Sequence, residues 1–124
     1  EKVNNSMVDN DHFALNFATL TAFSGDDSEA AHAIILTFIE ETEKNADSMK
    51  QALKSREVDG IAAMAHKLLP LFTLIGASDI LPLLSWLETK RGECFSEEIS
   101  SKTEVVLQQI QIILEEAKRY SKIE

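Results

Sequence analysis

From Ser28 to Ser55 the chain runs without a glycine or a proline, and Ala31, Ile34, Ile35, Phe38, Thr42, Met49 and Leu53 recur along it at steps of three, four and seven. Steps of that size return to one side of an α-helix, so the segment reads as one long helix with a single apolar stripe. Glu40, Glu41, Glu43, Lys44 and Lys50 fall mostly on its outer side. A helix with one greasy face is not stable alone in water, so the rest of the chain has to cover it.

The rest supplies matching faces. A turn over Ser24-Gly25-Asp26-Asp27-Ser28 ends in residues suited to cap the long helix. Glu57-Val58-Asp59-Gly60 starts a further helical pattern that runs to Ile75, with Gly76 placed as a left-handed C-cap residue. Ser78 or Asp79 is expected to cap the next helix, which extends to about Lys90 and carries Pro82 in or near its first turn. Ser96 opens a last helix whose stripe is Ile99, Thr103, Val106, Ile110, Ile113, Ala117 and Tyr120. Upstream, Phe13 to Phe23 gives a short helical pattern with Asp11 as its cap, and residues 1–12 read as a loose leader. The expected fold is therefore all-α: an antiparallel up-down four-helix bundle over residues 13–124, with an additional short N-terminal helix across one end.

Composition closes off other classes. Four Gly and two Pro are too few for the turns of an all-β fold. Twelve Lys and Arg stand against 21 Asp and Glu, a net charge of −9, which argues against nucleic acid and against direct contact with an anionic membrane. No run approaches the ~18 apolar residues of a membrane span. The single cysteine, Cys94, forms no internal disulfide and reads as an incidental loop thiol. His12, His32 and His66 have no close His or Cys partner, so no metal site is expected. The chain opens without Met and shows no signal peptide, which leads us to expect a cytoplasmic segment of a longer protein.

The helix over residues 57–75 is the informative one. With His66 at zero and about 100° per residue, Ile61, Met64, Ala65, Leu68, Leu71, Phe72 and Ile75 form a sector facing the core, and His66 lies nearly opposite its centre. Its neighbours are odd for a solvent face: Ala62 and Ala63 one turn before, Leu69 and Pro70 one turn after, with Asp59, Thr73 and Leu74 further out and Lys67 at the edge. Three readings fit: an incidental surface histidine, an imidazole in a seam under the N-terminal helix, or the centre of a docking patch.

Ala65-His66-Lys67-Leu68, followed by Gly76-Ala77 and later Leu87-Glu88, resembles the histidine-containing phosphotransfer (HPt) domain of bacterial multistep phosphorelays. The Phe23-Ser24-Gly25-Asp26-Asp27 turn, the long helix after it and the His66–Gly76 separation fit the same pattern, and the likeness covers about Phe13 to Tyr120. The resemblance implies a phosphocarrier without autonomous catalysis, free-standing or part of a hybrid sensor kinase. His66 would take a phosphoryl group from a receiver-domain aspartate and hand it to another receiver. Lys67 would lie beside the phosphate, and Asp59, Ala62, Ala63, Leu69, Pro70, Thr73 and Leu74 would form part of the receiver contact. It also implies a monomer with no cofactor of its own, the Mg²⁺ belonging to the receiver.

The family commonly has a Lys three residues after the histidine and a Gly four after; here these are Leu69 and Pro70. The missing lysine removes a cation that would stabilise the phosphorylated state. Pro70 has no N–H for the carbonyl of residue 66 and crowds it, so a bend or loosened turn is expected just after His66. Two other functions compete: a non-phosphorylated HPt-like module that only binds a receiver or another helical partner, and an enzyme with further groups converging on His66, for which this helix offers only Asp59.

Overall fold

The computed structural model describes residues 15–123, and the leader, Asp11, His12 and Phe13 lie outside them. Four α-helices account for most of the chain: α1 (Ser28–Lys54), α2 (Val58–Leu74), α3 (Leu81–Glu88) and α4 (Glu97–Ile123). No strand occurs among the described residues. The helices form a four-helix bundle in which α1 packs against α2 and α4, α2 against α3, and α3 against α4.

The stripes meet as the periodicity requires. Ile35, Phe38 and Met49 of α1, Ile61, Leu68 and Phe72 of α2, Leu84 and Leu87 of α3, and Ile99, Val106 and Ile110 of α4 share one continuous buried core. Each such side chain contributes about 1.5–3 kcal/mol by leaving water. Gly60 allows α1 and α2 to approach closely, since a Cβ there would stand 3.0 Å from the Cβ of Ala52. The end of α1 lies beside the start of α4, where Leu53, Lys54, Phe95 and Ser96 line one shallow cleft.

Helix ends follow local chemistry at three places. Asp27 caps α1 through its side chain, which accepts from the Ala30 N–H at 3.1 Å. Ser96 does the same for α4, accepting from Ile99 N–H at 3.2 Å. At the end of α2, Gly76 has φ +71°, Gly76 N–H donates to Thr73 O and Ala77 N–H to Phe72 O, the paired bonds of a Schellman turn. The end of α1 uses the same turn with Arg56 at φ +57° in the glycine position, a conformation that costs a non-glycine residue about 1 kcal/mol.

Two expectations change. The N-cap of α3 is Ile80, with no side-chain cap, rather than Ser78 or Asp79, and the helix ends at Glu88 rather than near Lys90. Residues 77–80 are used up in a tight turn, with Ile80 N–H bonded to Ala77 O, which delays the helix. The described part of the predicted N-terminal helix consists of two 3₁₀ turns, Phe17–Thr19 and Ala22–Ser24. There Thr21 Oγ1 donates to Ala18 O and Ser24 Oγ to Thr21 O, hydroxyl bonds that compete with a regular helix. The segment is nonetheless anchored at one end of the bundle. Asn16 N–H donates to Ile75 O at 2.8 Å, and the buried Phe17 ring packs on Phe38 and Tyr120.

Candidate functional site

His66 stands on the outer side of α2 with 70% of its side chain exposed, and Ala65 and Leu68 beside it in sequence are fully buried. The one-sided pattern of α2 therefore orients the ring: the core residues fix the helix rotation, and His66 is carried outward. None of the described N-terminal residues accounts for a seam at this position, because that segment packs at Ile75, Phe38 and Tyr120.

A partner comes from α3 instead. Nδ1 of His66 is hydrogen-bonded to Oε2 of Glu88, whose side chain is 34% exposed. A carboxylate only accepts, so Nδ1 is the donor in this bond, and in the neutral form of the ring the lone pair then lies on Nε2. The bond holds the ring rotation and favours the tautomer with the proton on Nδ1. In sequence, Glu88 stands only as part of Leu87-Glu88 and carries no role. What would have revealed it is the pairing of the end of α3 with the middle of α2, which no single-helix pattern contains.

The expected docking residues divide. Pro70, Thr73 and Leu74 are exposed, Leu74 by 46%, and Lys67 is exposed at the edge. Ala63 and Leu69 are half-buried, Leu69 packing partly on the core. Ala62 is fully buried and cannot touch a partner. The helical wheel put it outside because α2 is packed on two sides, by α1 and by α3, which widens its buried sector. Asp59 is exposed, but its Oδ1 accepts from Gly92 N–H at 2.7 Å and so ties the start of α2 to the loop after α3.

Pro70 sits inside a helix that continues α-helical to Leu74. Its ring nitrogen cannot donate to the carbonyl of His66, and one turn on Thr73 Oγ1 donates to Leu69 O at 2.7 Å. The chain thus accommodates the proline within the helix, on the side that faces outward.

Asp59 and Lys67 are the charged residues of α2 and Glu88 that of α3. Among the described residues no group of three His, Cys, Asp or Glu is arranged to hold a metal ion, and no helix is long and apolar enough to cross a membrane. Cys94 is exposed and free. It lines a cleft of about 600 Å³ with Arg56, Asp59, Gly92 and Phe95, and His66 takes no part in that cleft.

Comparison of the chain with protein-family models, with curated proteins and with solved structures finds no match.

Proposed function

We propose that this chain is a phosphorelay intermediate of the HPt kind, accepting a phosphoryl group on Nε2 of His66 from an aspartyl phosphate on a receiver domain and passing it to a second receiver. The observation that carries this reading is an exposed imidazole whose Nδ1 is held by Glu88, within a face of neutral and apolar groups. In the transfer, the Nε2 lone pair attacks phosphorus in line. The N–P bond forms, the acyl-phosphate P–O bond breaks, and its electron pair leaves with the partner's carboxylate. Nδ1 keeps its proton against Glu88, and that carboxylate offsets the positive charge the ring gains. Pro70, Thr73, Leu74 and the exposed side of Leu69 are contact surface for the receiver, and Lys67 is the cation nearest in sequence to the phosphoryl group. Metal chemistry belongs to the receiver in this scheme, and the setting is the cytoplasm, in a free-standing relay protein or a hybrid kinase.

The test is transfer of label from a phosphorylated receiver. The wild-type chain takes up acid-labile label and His66→Gln takes up none. Glu88→Ala slows transfer by about 100-fold, the loss expected when a reacting group is misplaced by an ångström. Glu88→Gln, whose amide oxygen still accepts from Nδ1, falls between the two. Equal labelling of His66→Gln, or no labelling of the wild type by any receiver of its pathway, overturns the proposal.

Leu69 and Pro70 favour a second reading, in which the same face binds a receiver or another helical partner without being phosphorylated. That module keeps its complex intact in His66→Gln and carries no acid-labile phosphate.

A further inference from the structure

Helix α4 has two faces that want covering, and the bundle covers one of them. Ile99, Thr103, Val106, Ile110, Ile113 and Ala117 are buried against the rest of the molecule. On the other side Ser101, Val105, Gln108, Ile112, Glu115 and Arg119 follow one another at steps of four and three, a second helical stripe that lies in solvent. Val105 is 39% exposed and Ile112 37%, and they lie seven residues apart on the same face. No charged residue occurs between Glu104 and Glu115, so the centre of this stripe is apolar side chains and glutamine amides.

The charges sit at the two ends and are arranged asymmetrically. Glu97, Glu98 and Glu104 dominate the start of α4, and Lys118, Arg119 and Lys122 its end. A copy of α4 laid in the opposite direction, with the two-fold axis between Gln108 and Gln109, sets Val105 against Ile112 of the partner copy. It also sets Glu98 against Arg119 and Lys102 against Glu115. Laid in the same direction, Glu98, Lys102 and Arg119 would each face their own like charge. Flanking charges of this kind choose orientation and partner more than they add affinity.

We propose that the exposed face of α4 is a self-association surface, on which a second copy of this chain seats its own α4 antiparallel in an isologous two-fold dimer. The inference stands on charge complementarity around an apolar centre and does not rest on the role of His66. It departs from the monomer that the resemblance implies. Because α4 packs on α1 and α3, the His66 face of α2 stays open in such a dimer. A single helix pair covers less than the ~800 Å² per partner of a standard interface, so the dimer is concentration-dependent.

Sedimentation velocity of the full chain over a concentration series shows a reversible monomer–dimer equilibrium. Ile112→Glu sediments as a monomer. Glu98→Arg and Arg119→Glu each lower the association constant about tenfold, equivalent to about 1.4 kcal/mol, and the double variant recovers it. In a Cys94→Ser background, Gln108→Cys cross-links on oxidation, being close to the axis, and Ser101→Cys does not. A monomer at every concentration, a dimer indifferent to Ile112→Glu, or Ser101→Cys cross-linking as readily as Gln108→Cys overturns the proposal. Ile112→Glu still accepts phosphate if His66 is the acceptor, so failure of one proposal is read separately from the other.

Discussion

The α2–α3 half of the bundle and the α1–α4 half bury their inner faces alike and treat their outer faces in opposite ways. α1 carries Glu29, Glu40, Glu41, Glu43, Lys44, Asp47, Lys50 and Lys54, and α4 carries nine further charged residues. Across the groove between them Lys118 Nζ and Glu43 lie 2.9 Å apart. α2 and α3 together carry Asp59, Lys67 and Glu88. Two of these three are committed: Glu88 to the His66 ring and Asp59 to the Gly92 amide. The outer side of α1 and the two ends of α4 are thus dressed for water. The outer side of α2 and α3 carries few charges, and an exposed pair such as Lys118–Glu43 adds little to stability, about 0–1 kcal/mol. What distinguishes the outer sides of α2 and α1 is the cost of desolvating them, low over α2 and high over most of α1.

Substitutions break or sharpen this contrast, beginning with the feature the halves share. Phe72 is fully buried and its ring packs edge-on against Phe38 of α1, so Phe72→Ala should cost about 3–5 kcal/mol in denaturant unfolding. A loss below 1 kcal/mol would mean that the two halves do not share one core.

Next is a residue peculiar to the α2–α3 half. Pro70→Ala restores an N–H to meet the His66 carbonyl and removes the ring from its neighbourhood. It should raise stability by about 1–3 kcal/mol, and, under the proposed function, alter transfer rates from a given receiver. Unchanged stability would show that the helix has relaxed around the proline without cost.

The charged half has its own flaw. Thr42 on α1 is fully buried and its Oγ1 has no hydrogen-bond partner among the described residues. Thr42→Val keeps the shape and removes the unmet hydroxyl, for an expected gain of about 1 kcal/mol by thermal or denaturant unfolding. A loss instead would reveal a hydrogen bond to that hydroxyl in solution.

The smallest effect falls on the junction between the halves. Arg56→Gly relieves a left-handed arginine but gives up its guanidinium over the Phe95 ring, 5.7 Å from the centroid. Relief of about 1 kcal/mol against a cation–π contact of about 0.5–1 kcal/mol and added chain entropy leaves a net change below about 0.5 kcal/mol. Arg56→Ala separates the two, since it loses the contact and keeps the strain.

Much of the fold was legible because helical periodicity is a local property. Six of the seven stripe residues read for α4 are buried and Tyr120 is half-buried; Ile35, Phe38, Thr42 and Met49 of α1 lie inside as their spacing demands. The caps at Asp27 and Ser96 and the turn at Gly76 likewise depend on residues within one turn of each other. Where the reading departed from the structure, the missing information was a neighbour. Ala62 went inside because α3 and α1 both press on α2, and Ile80 became a cap because the preceding turn used up Ser78 and Asp79.

The sequence by itself determined an all-helical fold, the rough limits of its four α-helices, and the outward direction of His66, because each follows from the rotation of about 100° per residue along a single helix. Only the tertiary structure decided that Glu88, twenty-two residues away, holds the imidazole nitrogen, that Asp59 is tied to Gly92, and that the N-terminal turns dock through the Asn16–Ile75 hydrogen bond and the Phe17 ring on Phe38 and Tyr120. Those contacts depend on how helices cross and where loops return, and these distances are set by the packing of the whole core rather than by any one stretch of chain.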